Sequence, residues 1–397
     1  MNHLAGKLDL IKTMISNPQI IKVRPSLNWF LLQYMSKFKV KKVGGRLVLH
    51  SHLPPLNSKA FTRFVNEHLL AKNAGPSHAQ IGLTNACPQN CEYCYNKNRQ
   101  GKIMTKEMIK KTIQDLKSLG VFWIGFTGGE PLLNKNIVEI TESAGDDCAL
   151  KLFTTGCTLT RQMALDLKRA GLHYVSVSLD HWDENVHDQI RRYKGAFQTA
   201  LQAIDIFKSI GDIHVSVSAV LSKDLLRQEN IERFMDFLSH LEIDEAWLSE
   251  TKPAVEAFGN KNLVITEEER LMLIDLQDRF NKNDKMTVNY LGHFESETNF
   301  GCTAGHKMIY VDAFGEVAPC VFVPMSFGNV QEKSLQSIFR EMRTLFPSEN
   351  RCFINANYEL LRKYGHGQLL LDREASLKMM DEIRFNPLST FFRLYYH

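Results

Sequence analysis

The sequence has 397 residues, of which 44% are hydrophobic and 23% are charged, as is ordinary for a globular protein with two or three domains. A net charge of +4 is too small to indicate nucleic-acid binding by itself. The sequence shows no apolar run long enough to cross a bilayer and no secretory signal, which predicts a cytoplasmic protein. In that reducing compartment, eight cysteines favour metal binding over a disulfide framework.

Residues 1–76 are predicted to form an N-terminal α/β extension of helices and one hairpin. The stretch "FKVKKVGGRLVLH" has the pattern of two strands around a Gly44-Gly45 turn, and "SKAFTRFVNEHLLA" that of a helix capped by Ser58. Three roles stay open for this extension and the aromatic C-terminal "STFFRLYYH": a winged-helix-like unit that binds a peptide leader, a basic amphipathic surface on a membrane, or a cover for the central domain. The cover is the favoured interpretation.

Residues 77–290 alternate between short β-rich runs and helical patterns. The helix "TKEMIKKTIQDLKSLG", for example, begins at a Thr105 cap and ends at Gly120. The six predicted strands are "AQIGLT", "VFWIGFTG", "ALKLFTTG", "HYVSVSLD", "IHVSVSAVL" and "EAWLSE". Strict alternation predicts an α/β fold with a parallel sheet, a partial (β/α)6 TIM-type barrel. After residue 290 the alternation stops, so residues 291–397 are predicted to form a separate α+β domain with the C-terminal tail.

Polar residues and glycines cluster where the predicted strands end, which is the face on which α/β barrels carry chemistry. They are Cys87, Cys91 and Cys94 after the first strand, "TGGEP" (residues 127–131) after the second, and Ser178 and Asp180 at the end of the fourth. We therefore expect these residues to face one mouth of the barrel.

The cysteines of "CPQNCEYC" have the spacing C-x3-C-x2-C. A structural zinc site normally has four protein ligands, but no fourth cysteine lies nearby and His78 belongs at the opposite end of the strand. Three thiolates suit a [4Fe-4S] cluster in which one iron has no protein ligand and stays open to a small molecule.

These residues resemble the radical S-adenosylmethionine (SAM) enzymes, whose pattern C-x3-C-x-aromatic-C is filled by Cys87, Cys91, Tyr93 and Cys94, with "GGEP" after the next strand. The resemblance covers roughly residues 77–250. It implies that the open iron binds SAM, that one electron from the cluster cleaves SAM to methionine and a 5′-deoxyadenosyl radical, and that this radical takes a hydrogen atom from the substrate.

The resemblance also implies roles for the residues around the cysteines. Gly128 and Gly129 would let the backbone approach SAM closely, and Glu130 with nearby carbonyls would accept bonds from the SAM ammonium. Arg191 would approach the SAM carboxylate, with a solvated helix-end charge as the alternative. Tyr93 would pack beside the cluster and the adenine.

Other polar residues at the strand ends are candidates for the wall of the same pocket. Ser178 and Asp180 are placed to bond the ribose hydroxyls, although both residue types also cap helices. Thr154 and Thr155 end the third strand, and Ser216 and Ser218 share a face of the fifth. No general base is assigned: His173 and His214 each open a strand, and His181 is better placed after Asp180.

The C-terminal region contains Cys302 and Cys320 in the spacing C-x12-G-x4-C around Gly315, followed by "FGNV" and a predicted helix, "SLQSIFREM". This resembles the opening of SPASM and shorter twitch domains, which bind extra iron-sulfur clusters. One further cysteine, Cys352, implies a single auxiliary [4Fe-4S] cluster near the substrate end of the barrel. Its fourth ligand stays open between substrate, water and a side chain such as His306. Cys148 is predicted to be a core thiol and Cys157 to be structural.

The predicted function is therefore that of a radical SAM enzyme acting on a peptide or on a cofactor or natural-product precursor. A lipid-like substrate at a membrane surface is one alternative, and an iron-sulfur electron-transfer or cluster-carrier protein is another. The expected partners are the substrate and a reductant such as flavodoxin or ferredoxin, without nucleic acid.

Overall fold

The computed structural model describes residues 17–97, 99–252, 264–283, 286–346, 351–365, 370–385 and 387–396. Its helices are α1 (Pro25–Met35), α2 (Lys59–Arg63), α3 (Lys106–Leu119), α4 (Ile137–Ser143), α5 (Arg161–Arg169), α6 (Glu184–Arg191), α7 (Ala196–Ile210), α8 (Gln228–His240), α9 (Glu267–Asn283), α10 (Leu291–Phe294), α11 (Leu335–Leu345), α12 (Phe353–Gly365), α13 (Arg373–Glu382) and α14 (Thr390–Tyr396). Its strands are β1 (Lys41–Val43), β2 (Arg46–Val48), β3 (His78–Gly82), β4 (Trp123–Thr127), β5 (Ala149–Thr154), β6 (Tyr174–Ser178), β7 (His214–Leu221), β8 (Glu245–Glu250), β9 (Thr287–Tyr290), β10 (Met308–Val311) and β11 (Val317–Ala318).

Local sequence signals place several of these elements as predicted. Strands β1 and β2 pair antiparallel around Gly44 and Gly45, which both have positive φ. The Ser58 hydroxyl accepts a hydrogen bond at the start of α2, which continues as a π-helical segment, Phe64–Leu70. Helix α3 is capped by the Thr105 hydroxyl and ends at Gly120, whose left-handed φ of 113° favours glycine.

Strands β3 to β8 correspond to the six predicted strands and form consecutive parallel pairs. The sheet is wider than this prediction, because β9 pairs parallel with β8, and β10 pairs parallel with β3. The order in the nine-stranded sheet is β11-β10-β3-β4-β5-β6-β7-β8-β9, with β11 antiparallel to β10. The edges of the described sheet are β9 and β11, which agrees with the expected incomplete barrel.

The hairpin β10–β11 belongs to the region that the sequence assigns to a separate C-terminal domain. Its pairing with β3 makes this region share a sheet with the central domain. The domain boundaries after residues 76 and 290 stay predictions. The sheet itself contains strands from both sides of the boundary after residue 290.

The two faces of the sheet differ in character because side chains alternate along each strand. One face, with residues such as Ile81, Phe126, Leu152 and Val217, belongs to the main hydrophobic core together with the covering helices. The other face carries residues such as Gln80, Phe153 and Trp247, which line cavities. Burying one large apolar side chain contributes about 1.5–3 kcal/mol, so the first face holds the fold together and the second is available for a site.

The segment after β2 packs against the cavity-lining face of the sheet, at the amino-terminal ends of the strands. The Ser51 carbonyl accepts a hydrogen bond from the Trp123 indole at 2.9 Å, and the Ser51 amide donates to Glu245 at 2.7 Å. Lys151 Nζ donates to the Ser51 hydroxyl at 2.7 Å. The N-terminal extension is thus bonded to β4, β5 and β8, which agrees with its interpretation as a cover.

Helices α1 and α14 pack together beside this segment. The ring of Phe30 lies 5.5 Å from that of Phe300 and 5.9 Å from that of Phe391, measured between centroids. The two ends of the described chain therefore share one aromatic cluster. Leader-peptide binding and membrane-surface association by these elements stay predictions.

None of the helices in the described part of the chain is both long and apolar enough to cross a membrane.

Candidate functional site

The loop that follows β3 carries Cys87, Cys91 and Cys94. Its chain path is stabilised by Cys94 N donating to the Cys91 carbonyl at 3.3 Å and Asn90 N donating to the Arg191 carbonyl at 3.1 Å. The Cys91 thiol lies 3.9 Å from that same Arg191 oxygen. The end of α6 therefore supports the cysteine loop from the side.

The Gly128-Gly129 turn after β4 holds the first part of this loop. Gly129 N donates to the Thr84 carbonyl at 2.7 Å, and Glu130 N donates to the Ala86 carbonyl at 2.7 Å. These bonds continue the β3–β4 pairing beyond the strands, up to the residue before Cys87. The turn thus determines where the first cysteine lies.

Glycine is needed here for a reason that adds to the expected close approach of SAM. A Cβ on Gly129 would lie 2.2 Å from the Ala86 carbonyl oxygen, and one on Gly128 would lie 2.3 Å from the Thr84 oxygen. Gly128 also has a φ of +120°. Both clashes are with the cysteine loop, so the glycines allow close packing of that loop in addition to any approach to SAM.

The three thiols open onto one cavity of about 180 Å³ at the carboxyl ends of the strands. The predicted site residues that line it are Cys87, Tyr93, Cys91, Cys94, Gly128, Gly129, Ser178 and Arg191, together with Thr154, Thr155 and Ser218. The expectation that the strand ends meet at one mouth is therefore supported. Ser216 lies deeper, where its hydroxyl donates to the Val175 carbonyl at 2.7 Å.

Asp180 does not line this cavity but anchors residues that do. Its carboxylate is 1% exposed, lies 2.7 Å from Arg191 Nε, and accepts hydrogen bonds from the Tyr93 hydroxyl and from Val220 N. Burial alone would raise the pKa of Asp180, but the charge of Arg191 and these bonds bring it below its usual value. The carboxylate thereby positions Arg191 and Tyr93, while its bond to a ribose stays a prediction.

Glu130 is also turned away from the cavity. Its carboxylate accepts bonds from Leu132 N at 2.9 Å, from the Thr154 hydroxyl at 2.7 Å, and from the Thr155 amide at 2.6 Å. Burial raises the pKa of this fully buried group, although the bonds oppose that effect. Glu130 therefore joins the ends of β4 and β5, and its bond to the SAM ammonium stays a prediction.

A second cavity of about 70 Å³ brings the C-terminal cysteines together. Cys302 precedes β10 and Cys320 follows β11, so the antiparallel hairpin returns the second thiol to the first. Gly315, with a φ of +86°, lies in the hairpin turn, as the sequence predicts. Cys352 precedes α12 and joins them as a lining residue.

The two cavities share part of their walls, namely Gln80, Trp247, Leu291, Val321 and Phe322. Lys252 lines the first cavity, and its Nζ lies 3.2 Å from the Cys352 thiol of the second. Sequence reasoning missed Lys252, although its position two residues after β8, at the same face as the other site residues, was a usable signal. The expected placement of the auxiliary cysteines near the substrate stays a prediction that this shared wall supports.

Each of the two cavities is lined by three cysteine thiols, the type of ligand that binds iron-sulfur clusters. Within the described ranges, no three His, Cys, Asp or Glu side chains converge closely enough to hold one ion. The cysteines of a [4Fe-4S] cluster bind different irons, so their sulfurs stand further apart. Burial raises the pKa of Cys352 to about 11, so this thiol would have to lose its proton before it could bind iron.

His306, named as a possible fourth ligand, is not among the described residues that line the second cavity. Its ring packs against Phe392 at 4.9 Å and its Nε2 contacts the Tyr396 hydroxyl, both in α14. The turn before β10 directs the ring to the C-terminal helix, so the described contacts do not support His306 as this ligand, and substrate and water stay open.

Two further histidines and two further cysteines that the sequence singles out lie where local structure explains them. His214 opens β7, buried 3.6 Å from Glu245, and the His181 ring stacks on Trp182. Cys148 is fully buried in the main core at the start of β5, and Cys157 is partly exposed beyond its end. None of these four residues lines either cysteine cavity.

Residues 81–241 match the Radical SAM superfamily, and residues 302–354 match SPASM, an iron-sulfur cluster-binding domain. Among curated relatives, the PqqA peptide cyclase of Bradyrhizobium diazoefficiens is 31% identical over 38% of this chain and 41% of its own length. The antilisterial bacteriocin subtilosin biosynthesis protein AlbA of Bacillus subtilis is 26% identical over 66% of this chain and 59% of its own. The matches thus span about half the length of these two relatives.

The AdoMet-dependent heme synthase of Methanosarcina barkeri is 25% identical over 72% of this chain and 90% of its own length. Among solved structures, Streptococcus suis SuiB bound to S-adenosylmethionine superposes with a TM-score of 0.57 at 16% identity, covering 72% of this chain and 73% of SuiB. The likeness to SuiB shows the fold. By these matches, the chain carries a radical SAM domain over residues 81–241 and a C-terminal SPASM domain over residues 302–354.

Proposed function

We propose that this protein is an enzyme that cleaves SAM reductively and abstracts a hydrogen atom from a peptide. The observation that carries the proposal is the first cavity, where three otherwise unused thiols meet the glycine turn, Ser178 and Arg191. An electron carrier needs the thiols but has no use for the rest of this lining. The cavity therefore favours the enzyme over the carrier.

In this proposal Cys87, Cys91 and Cys94 hold a [4Fe-4S] cluster with one open iron. When bound, the cluster and SAM supply one-electron cleavage of a carbon–sulfur bond and a 5′-deoxyadenosyl radical. Cys302, Cys320 and Cys352 hold the second, auxiliary [4Fe-4S] cluster. The chain's own contribution is to bind and orient these groups and the substrate.

Several contacts support specific positioning roles. Arg191, ion-paired with Asp180 and stacked 5.6 Å from the Tyr93 ring, is held so that it lines the cavity and binds the SAM carboxylate. Ser178 bonds the ribose from the end of β6. The large apolar side chains Phe153, Trp247 and Phe322, which also line the cavity, exclude water from a reactive radical.

A peptide substrate is supported by the names of the relatives. PqqA peptide cyclase acts on a peptide by name, AlbA makes a bacteriocin, and SuiB was solved bound to the precursor peptide SuiA. A cofactor precursor such as a tetrapyrrole is the second candidate, because the heme synthase matches over 90% of its length. The proposed setting is the cytoplasm, with a flavodoxin or ferredoxin as the reductant.

The test is SAM turnover by anaerobically reconstituted protein with a strong reductant. We expect 5′-deoxyadenosine from the intact protein and none from the Cys87/Cys91/Cys94→Ala triple variant. With perdeuterated substrates, deuterium in 5′-deoxyadenosine from a peptide supports the first candidate, and deuterium from a tetrapyrrole precursor supports the second. Formation of S-adenosylhomocysteine, or equal turnover by the triple variant, would contradict the proposed reaction.

A further inference from the structure

The second cysteine group provides three thiols, whereas a [4Fe-4S] cluster has four irons to ligate. With His306 facing α14, the ligand of the fourth iron must come from another lining residue, from solvent or from the substrate. The second cavity contains one acidic side chain among its described lining residues, that of Glu295.

Glu295 follows α10 directly and lines the cavity together with Cys302, Cys320 and Cys352. Lys252 connects it to the thiols: Nζ lies 3.2 Å from Glu295 Oε2 and 3.2 Å from Cys352 Sγ. One buried ammonium group therefore contacts both the carboxylate and a thiol. After burial, the charge of Glu295 is among the causes that raise the pKa of all three thiols, which agrees with its position among them.

The other polar lining residues are less suited to bind this iron. The His52 ring is stacked on Phe294 and Trp247, with centroids 4.6 and 5.2 Å apart. Gln80 and Thr303 offer neutral oxygens, which are weaker ligands than a carboxylate for a positively charged iron. Glu295 is only partly buried, and the buried ammonium group of Lys252 pairs with its carboxylate.

We propose that Glu295 is the fourth protein ligand of the auxiliary cluster and that Lys252 positions it. This inference rests on the proposed auxiliary cluster and deepens that part of the function. In the metal-free protein the ammonium holds Glu295 and Cys352 side by side. On assembly, a carboxylate oxygen donates a lone pair to the fourth iron, and no electron is transferred. Lys252 then offsets the negative charge of the liganded site and stays within reach of Glu250, 3.6 Å away.

The experiment uses the Cys87/Cys91/Cys94→Ala protein, so that only the auxiliary cluster is present. Glu295→Ala, Glu295→Gln and Glu295→Cys are each added to this background, with the exposed Glu297→Ala as the matched control. The measurements are iron per chain, the electron paramagnetic resonance spectrum of the oxidised and reduced cluster, and the circular dichroism of each protein.

We expect Glu295→Ala and Glu295→Gln to leave the fourth iron without a protein ligand, which alters the spectrum and lowers the iron content from about four towards about three per chain. Glu295→Cys should keep about four irons with an altered spectrum, since a thiolate replaces the carboxylate. Glu297→Ala should match the background. Glu295→Gln preserves the side-chain shape, so it tests the loss of the carboxylate even if Glu295→Ala misfolds.

Unchanged iron content and an unchanged spectrum in Glu295→Gln would overturn the inference while leaving the auxiliary cluster intact. A background protein that takes up no iron at all would instead contradict the auxiliary cluster, and with it that part of the proposed function. The two failures are therefore distinguishable, and neither depends on enzymatic turnover.

Discussion

At the scale of single residues, the site depends on close backbone packing as much as on the cysteines. Gly129 lies against the segment before Cys87, and no side chain fits between the two. The Gly129 and Glu130 amides bond to this segment from the same turn. Because residue 129 has no side chain, the segment before Cys87 can pack directly on the turn after β4, and this contact determines the position of Cys87 relative to β4.

We expect Gly129→Ala to move the cysteine loop, because its Cβ would lie 2.2 Å from the Ala86 oxygen. Overpacking of this kind costs about 1–3 kcal/mol. The first cluster should be lost or weakened, and iron content should fall by up to about half. Iron analysis and thermal unfolding measure the two effects.

The matched control is Gly365→Ala, where a Cβ would meet only Leu371 Cδ2 at 3.9 Å. This variant should behave like the intact protein in both measurements. Full iron content and an unchanged unfolding midpoint in Gly129→Ala would show that the loop adapts without cost.

At the scale of elements, the Glu250 carboxylate at the end of β8 connects this strand to α9, β9 and α12. Its carboxylate accepts bonds from Arg270 of α9 at 3.0 Å, from the Tyr290 hydroxyl of β9 at 2.7 Å, and from Asn355 of α12 at 2.9 Å. Lys252 lies 3.6 Å away. Burial by itself would raise the pKa of Glu250, but these cations and donors lower it to about 2.

This depressed pKa predicts acid-sensitive stability. A carboxyl group whose pKa is lower in the folded state stabilises the protein above its unfolded value, near 4.3, and this contribution is lost as pH falls towards 2. We expect Glu250→Gln to reduce the free energy of unfolding by about 3 kcal/mol at pH 7 and by much less near pH 2. Denaturant unfolding of the metal-free protein across this pH range measures the difference.

Glu229→Gln, on the exposed side of α8, is the control and should leave the unfolding free energy within about 0.5 kcal/mol at each pH. If Glu250→Gln lowers the free energy of unfolding by the same amount at every pH, the lost stability reflects packing and not the charge of the carboxylate.

At the scale of the whole molecule, two cysteine groups from distant parts of the sequence line adjoining cavities. The first follows β3, and the second is brought close by the hairpin β10–β11, which pairs with that same strand. Trp247 and Phe322 belong to both walls. The groups are nevertheless held by different elements, so each should assemble its cluster independently.

We expect the intact, anaerobically reconstituted protein to hold about eight irons per chain, and the Cys302/Cys320/Cys352→Ala variant about four. Cys148→Ala changes a core thiol that lines neither cavity and should keep the full iron content. An intact protein with about four irons would show that the C-terminal cysteines do not hold a cluster.

Short-range patterns in the sequence were sufficient for the first cysteine group and for the elements that carry it. The spacing of Cys87, Cys91 and Cys94, the glycine pair after β4, and the caps at Ser58 and Thr105 all concern residues that are near neighbours along the chain. The strict alternation of strands and helices also predicted the order of β3 to β8. Consecutive parallel strands are joined by right-handed helical crossovers, so each new strand adds beside the one before it.

Only the tertiary structure decided contacts between residues far apart in sequence. The sequence placed Glu130 and Asp180 at the site, but not their burial: Glu130 bonds Thr154 and Thr155, and Asp180 holds Arg191. Nothing local indicated that β10 would pair with β3, or that Lys252 would stand between Glu295 and Cys352. Such contacts depend on how distant segments pack, because the pairing of β10 with β3 and the placement of the loops that carry Lys252, Glu295 and Cys352 together determine which side chains share a cavity.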